Sequence, residues 1–161
     1  AAPASLIDYM GLPLHESLPL VVDLLTKHGL RQRIRIIASG KLTNPGKVAW
    51  ALSMGCDFAV SARGFMFALG CIQALQCNKN TCPTGITTHD ERLQRGLVVG
   101  EKSKRVANYA AALQREVETI AHSCGVPEPR LLRREHCRVV RADGRSVSLA
   151  ELYPAGDAGS A

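Results

Sequence analysis

"RIRIIASGKLTNPGKVAWALSMGCDFAVSARG", residues 33–64, sets the fold class. Its opening, "RIRIIAS" (33–39), becomes wholly apolar toward its end, the pattern of a strand buried on both faces. In "TNPGKVAWALSMG" Asn44 stands at the N-cap, Pro45 at the first helical position and Gly55 just past the end, so both helix boundaries are signalled. "CDFAVSA" (56–62) reads as a second short apolar strand, and "GFMFALGCIQALQ" (64–76) as the helix after it. Strand, helix, strand, helix in so short a span is the βαβ pattern of an α/β fold with a parallel sheet.

Upstream, "SLPLVVDLLTKHG" (17–29) predicts a helix with Pro19 in its first turn, Leu18, Val21, Val22 and Leu25 on one face, and Gly29 ending it. The first fifteen residues, "AAPASLIDYMGLPLH", read as a loop arriving from something upstream, since no initiator Met is present. Downstream of a polar stretch, "TTHDERLQRG" (87–96), Val106, Tyr109, Ala110, Leu113, Val117, Ile120 and Ala121 recur at three- and four-residue steps. That is a packing helix with no catalytic hint. A small strand pair is expected to turn at Asp143-Gly144, and the final "AGDAGSA" (155–161) to be disordered.

The 161 residues are 46% hydrophobic and 21% charged, a balance that suits a globular domain with a real core. The longest apolar run, "LPLVVDLL" (18–25), is broken by Asp23 and too short to cross a bilayer, and no secretory leader is visible. A cytoplasmic location is therefore expected, where clustered cysteines point to metal or redox duty rather than disulfides. Net charge is +6, but much of the surplus sits in short groups, Arg31/Arg33/Arg35 and Arg130/Arg133/Arg134, and aromatics are only 4%. Such a footprint argues against nucleic acid and leaves a solvated face or a local anion site.

Two turns follow the two strands: Ser39-Gly40-Lys41 after the first and Ala62-Arg63-Gly64 after the second. In parallel α/β sheets ligands sit at the carboxyl ends of strands, where small residues let backbone N–H groups approach an anion and the next helix dipole favours negative charge. The alternative is that the glycines serve the turns and Lys41 and Arg63 are solvated. In "GCIQALQCNKNTCPTG" (70–85) Cys71, Cys77 and Cys82 are spaced C-x5-C-x4-C, and Pro83 follows the last. Three thiolates facing one centre suit a three-iron cluster, and a cysteine followed by proline closes the ligand run of bacterial ferredoxins. Zinc would need a fourth ligand from His89, Cys56 or Cys137. Plain buried thiols are the third reading, and they account comfortably for Cys56, Cys124 and Cys137.

The ordered combination from "IRIIASGKLTNPGK" through "ALGC" (68–71), "CNKNTCPTG" (77–85) and "RGLVV" (95–99) resembles the C-terminal end of the FMN-binding domain of glutamate synthases. It is more closely similar to the stand-alone FMN-binding glutamate synthase family proteins, down to "ELYP" (151–154). The resemblance implies the C-terminal part of a (β/α)8 TIM barrel, with the last βα units and the cysteine segment in residues 1–100 and a helical C-terminal extension in 101–161. It implies FMN and a 3Fe-4S cluster, and formation of L-glutamate from 2-oxoglutarate and ammonia or glutamine through an imine. Cys71, Cys77 and Cys82 would ligate the cluster; Ser39, Gly40 and Lys41, with Ala62 and Arg63, would hold the FMN phosphate. No catalytic residue is assigned.

The sequence departs from the synthases at two places, carrying Asn78 where they have a histidine and Gly40-Lys41 where they have Gly-Gly. A barrel of this kind takes about 250 residues, so the remaining strands are expected upstream and this chain alone is expected to be inactive. The implied partner is an electron donor, either ferredoxin or an NAD(P)H-dependent subunit; separately, a two-strand fragment leaves sheet edges open, which allows a homo-oligomer. Two competing readings are a non-catalytic module whose cysteines bind zinc or nothing, and a different FMN barrel oxidoreductase.

Overall fold

A computed structural model describes Leu6 and residues 10–154. The expected disordered tail, 155–161, lies outside the described residues, as does most of the opening segment. Helix α1 spans Leu14–Lys27, strand β1 Ile37–Ser39, α2 Pro45–Met54, β2 Phe58–Val60, and α3 Ala62–Leu69. A short helix α4, Glu91–Gln94, precedes the long α5, Val99–Ser123; the chain closes with β3 Arg138–Val140, β4 Ser146–Ser148 and α6 Leu149–Leu152. The architecture is α/β: β1 and β2 pair in parallel, and β3 and β4 form a separate antiparallel hairpin.

The βαβ unit forms as its local signals require. The Asn44 side chain accepts the Lys47 N–H at 3.0 Å, Pro45 opens α2, and Gly55 ends it at φ 106°, a left-handed value open to glycine at no steric cost. The register sets Ile37 opposite Phe58, Ala38 opposite Ala59 and Ser39 opposite Val60. Burial alternates rather than covering both faces: Ala38 is 2% exposed, while Ile37 is 63% and Phe58 49% exposed. This corrects the expectation for 33–39. Helices cover only one face of the two-stranded sheet, leaving Ile37, Phe58 and Val60 side by side on the other.

Helix α3 stops at Leu69 instead of running through 76, because Gly70 adopts φ 103° and its N–H turns back to the Phe67 carbonyl. Cys71 and Cys77 therefore lie outside the helix. The α5 stripe behaves as its spacing predicts: Val117 and Ala121 are buried, the other members are half-buried, and the helix packs on α2 and α3. The hairpin turns as expected, with Gly144 at φ 79° and the Asp143 carboxylate accepting the Arg145 N–H at 3.0 Å. No described helix is long and apolar enough to cross a membrane.

Helix α1 starts three residues before Ser17, after Pro13, so Pro19 falls in its second turn rather than its first. Proline has no N–H for the carbonyl four residues back. That carbonyl, on His15, instead accepts the Tyr153 hydroxyl at 3.3 Å. Arg134 holds the same tail, donating to the Tyr153 carbonyl at 2.6 Å and pairing with Asp23 on α1 at 2.5 Å. The "ELYP" end is thereby clasped to α1.

At the strand starts, the Asp57 carboxylate accepts the Ile36 N–H at 2.7 Å and pairs with Arg31 at 2.9 Å and Arg35 at 3.2 Å. Burial alone pushes this carboxyl up. The Ile36 N–H, the Arg31 charge and the arginine hydrogen bonds outweigh it and hold the group below the ordinary carboxylate range.

Two outcomes follow. Tyr153→Phe should lower stability by about 0.5–1 kcal/mol in denaturant unfolding, and the loss should shrink in a Pro19→Ala background, where the His15 carbonyl regains a helical partner. Because the folded Asp57 titrates below its unfolded value near about 3.9, its contribution is fully present above that pH and lost as pH falls through the lower folded value. Unfolding midpoints measured from pH 6 downward should accordingly fall less in Asp57→Asn, which starts less stable.

Candidate functional site

Parallel pairing brings the carboxyl ends of β1 and β2 side by side, with Ser39 opposite Val60. Beyond them lie the two turns. Lys41 takes a left-handed φ of 55°, and Gly40 is pressed against α1, where a Cβ would come 2.8 Å from the Leu14 Cβ. Packing thus already requires glycine at 40, whatever the turn binds. Ala62 and Arg63 are not loop residues: they open α3, so the unpaired N–H groups of its first turn lie at the end of β2. Ser39, Gly40, Lys41 and Ala62 are exposed and Arg63 is half-buried.

Ser61 stands at the N-cap of α3 without capping it. Its buried hydroxyl is instead 2.8 Å from the hydroxyl of Tyr109, which donates to the Thr43 carbonyl at 3.2 Å. Tyr109 thus ties the turn after β1 to the turn after β2, and leaves the α3 N–H groups free of a side-chain cap. A Cβ on buried Gly64 would overlap the Tyr109 hydroxyl, and the Phe65 ring meets Tyr109 edge-on with centroids 5.0 Å apart. Sequence reasoning placed Tyr109 in a packing stripe and passed over Ser61. The available signal was a lone tyrosine in an otherwise aliphatic stripe, since a buried tyrosine hydroxyl needs a partner.

The cysteine segment leaves α3 at Gly70 and is irregular, with Gln73 and Leu75 at φ 55° and Asn80 at φ 62° around a single turn of 3-10 helix, Cys77–Lys79. Asn80 closes the loop: its carbonyl accepts the Thr88 hydroxyl and its side chain the His89 N–H, both at 2.7 Å. Cys82 is buried, with its sulfur 3.2 Å from the Thr84 hydroxyl and facing the N–H groups of Thr87, Thr84 and Ile86. Burial pushes the thiol up, but these donors prevail and bring it down to about 6. Cys71 is half-buried and Cys77 exposed. Lys102 and Arg105 of α5 reach over Gly70, so positive charge borders the segment.

Among the described residues no group of three or more His, Cys, Asp or Glu side chains is gathered tightly enough to hold a metal ion. The three cysteines flank one loop without closing on a centre, and no zinc set with His89, Cys56 or Cys137 is assembled either. Cys56 belongs to the core, where burial and then the Asp57 charge raise its thiol to about 11. Cys124 and Cys137 pack against the apolar clusters, and burial raises Cys137. The donors around Cys82 favour its thiolate form, and the Thr87 hydroxyl is buried with no hydrogen-bond partner among the described residues. A sulfide-bearing cluster, with acceptors of its own, fits that donor set.

Crowding at the tyrosine bridge gives a direct test. Gly64→Ala should cost roughly 1–3 kcal/mol by overpacking, and Tyr109→Phe about 1 kcal/mol through its lost hydrogen bonds. Gly46→Ala, in α2 where a Cβ would meet only the Asn44 Oδ1 at an ordinary 3.6 Å, should cost nothing measurable in the same denaturation assay.

With this geometry in place, comparison with known proteins is informative. Residues 1–127 match the family described as "Conserved region in glutamate synthase". The glutamate synthase large subunit-like protein YerD of Bacillus subtilis (strain 168) is 44% identical over 147 residues, covering 91% of this chain and 28% of that protein. The archaeal glutamate synthase (NADPH) of Methanocaldococcus jannaschii is 30% identical over 159 residues, 98% of this chain and 31% of its own length. The glutamate synthase (NADPH) large chain of Azospirillum brasilense is 31% identical over 125 residues, 78% of this chain and 8% of its own length. The chain thus spans less than a third of the curated relatives it matches. Paired turns on adjacent parallel strands and a loop carrying three cysteines accompany this similarity, and the chain belongs to the glutamate synthase family.

Proposed function

We propose that the chain supplies the last two strand-helix units of an FMN-binding (β/α)8 barrel in residues 1–100, and in 101–161 the helical extension that braces them. The carrying observation is the pair of turns at the carboxyl ends of β1 and β2, locked together by Tyr109. The bare apolar face of the sheet supports the same reading. Ile37 and Phe58, and Ser39 and Val60, face one side in register, as inward positions of a barrel do, and further strands would bury them.

In this reading Ser39, Gly40 and Lys41 lie on one side of the FMN phosphate, with the first-turn N–H groups at Ala62 and Arg63 on the other. Arg63 adds a guanidinium to backbone donors, and Tyr109 fixes their spacing. Cys71, Cys77 and Cys82 would ligate the 3Fe-4S cluster, with the Cys82 thiol lowered to about 6 by the donors around it and Lys102 and Arg105 offsetting the added negative charge. When bound, FMN supplies hydride transfer and the cluster electron relay. The protein's own residues hold, orient and screen these groups. The reaction is formation of L-glutamate from 2-oxoglutarate and ammonia or glutamine through an imine. Electrons come from ferredoxin or an NAD(P)H-dependent subunit, NADPH being the reductant named in the relatives.

Full-length protein purified without oxygen should contain FMN, iron and acid-labile sulfide. Cys82→Ala should lose the iron while retaining flavin, and Arg63→Ala should weaken FMN binding at least tenfold while retaining iron. Flavin without iron or sulfide, or stoichiometric zinc in their place, would overturn the cluster assignment. Failure of 2-oxoglutarate to reoxidise the reduced flavin would overturn the substrate.

A further inference from the structure

We propose that the cleft at the amino-terminal ends of β1 and β2 is a separate anion site, built for a small phosphate-bearing molecule. The two arginine groups that stood out in the sequence meet there. Arg31 and Arg35 precede β1, Arg130, Arg133 and Arg134 follow α5, and all five line one cavity of about 540 Å³. This end of the strands is opposite to the one carrying Ser39 and Ala62.

Charges in the cleft do not balance. Its five guanidiniums meet three carboxylates, Asp23, Asp57 and Glu135. Asp57 is shared by Arg31 and Arg35, and Asp23 is taken by Arg134. Arg130 and Arg133 form no ion pair among the described residues, yet neither is a loose surface side chain. One Arg133 nitrogen donates to the carbonyls of Arg130 and Leu132, both at 3.0 Å, and the Arg130 guanidinium lies over the Phe58 ring, 5.9 Å from its centroid. The backbone between them is stiffened by Pro129 in a 3-10 turn, Pro129–Leu131. Two anchored cations lining the same cavity repel each other, and an anion bound beside them removes that cost.

The chemistry favours phosphate. Planar guanidinium forks match the terminal oxygens of a phosphoryl group bidentately, and a cavity of this size takes a small molecule rather than a polymer. The arginines surround a cleft instead of forming a stripe, and the one aromatic side chain lining it, Tyr153, gives no run of stacking platforms, which sets nucleic acid aside. A ligand here would bridge the segment entering β1 to the segment leaving α5.

The test is calorimetric titration of pyrophosphate into full-length, FMN-saturated protein in phosphate-free, low-salt buffer. Saturable binding is expected, weakened by added chloride. Arg130→Gln/Arg133→Gln should reduce affinity at least tenfold, and Arg130→Lys/Arg133→Lys should reduce it measurably, because the charge remains but the fork is lost. Arg63→Ala, in the proposed flavin site, should leave pyrophosphate affinity unchanged, so loss of that site and loss of this one are read separately. Both arginines are exposed, and thermal melts of each variant would establish that it is folded. Absence of saturable binding, affinity unchanged in the Gln pair, or malonate binding as tightly as pyrophosphate would each overturn the proposal.

Discussion

The Asp57 carboxylate governs the geometry of this chain. It accepts the Ile36 N–H and holds Arg31, while the Asp57 and Phe58 N–H groups return to the Ile36 carbonyl, so the starts of β1 and β2 are joined before the strands themselves pair. With only three residues in each strand, the ladder has little cooperativity of its own, and this junction is what fixes a register that sets Ser39 beside Val60. Shifting that register by one residue would turn Ala38 outward and Ile37 into the core. It would also carry the two turns out of alignment.

Tyr109 has the corresponding task at the other end. Its hydroxyl joins Ser61 to the Thr43 carbonyl and so couples the two turns to the long helix α5, whose remaining stripe is ordinary packing. The cost appears at Gly64, where no side chain has room. The C-terminal segment is held by a comparable exchange: Pro19 leaves the His15 carbonyl without a helical partner, and Tyr153 closes it from 138 positions later in the chain. In both places a tyrosine hydroxyl joins segments distant in sequence.

The two ends of the parallel strands therefore differ in character. One presents backbone N–H groups and small residues, the other a crowd of guanidiniums partly neutralised by carboxylates. The first is the end proposed above to face the flavin phosphate. The second was visible in the sequence only as two short basic groups whose meeting could not be foreseen, because ninety-five residues separate Arg35 from Arg130.

The sequence by itself determined α2, the hairpin turn and the packing stripe of α5, which local chemistry governs. Asn44, Pro45 and Gly55 bound α2, Gly144 turns the hairpin, and the apolar steps of α5 find their cover as spaced. It also carried the family resemblance through the turns and the cysteine segment. Tertiary structure alone decided what depends on distant partners: that β1 and β2 are covered on one face, that α1 begins early enough to bury a proline in its second turn, and that Cys82 is buried among donors that lower its thiol while Cys71 is half-buried and Cys77 exposed. The physical reason is one of range. Caps, turns and helical periodicity act within a few residues, whereas burial, thiol acidity and the tyrosine bridges depend on groups brought together only by the folded chain.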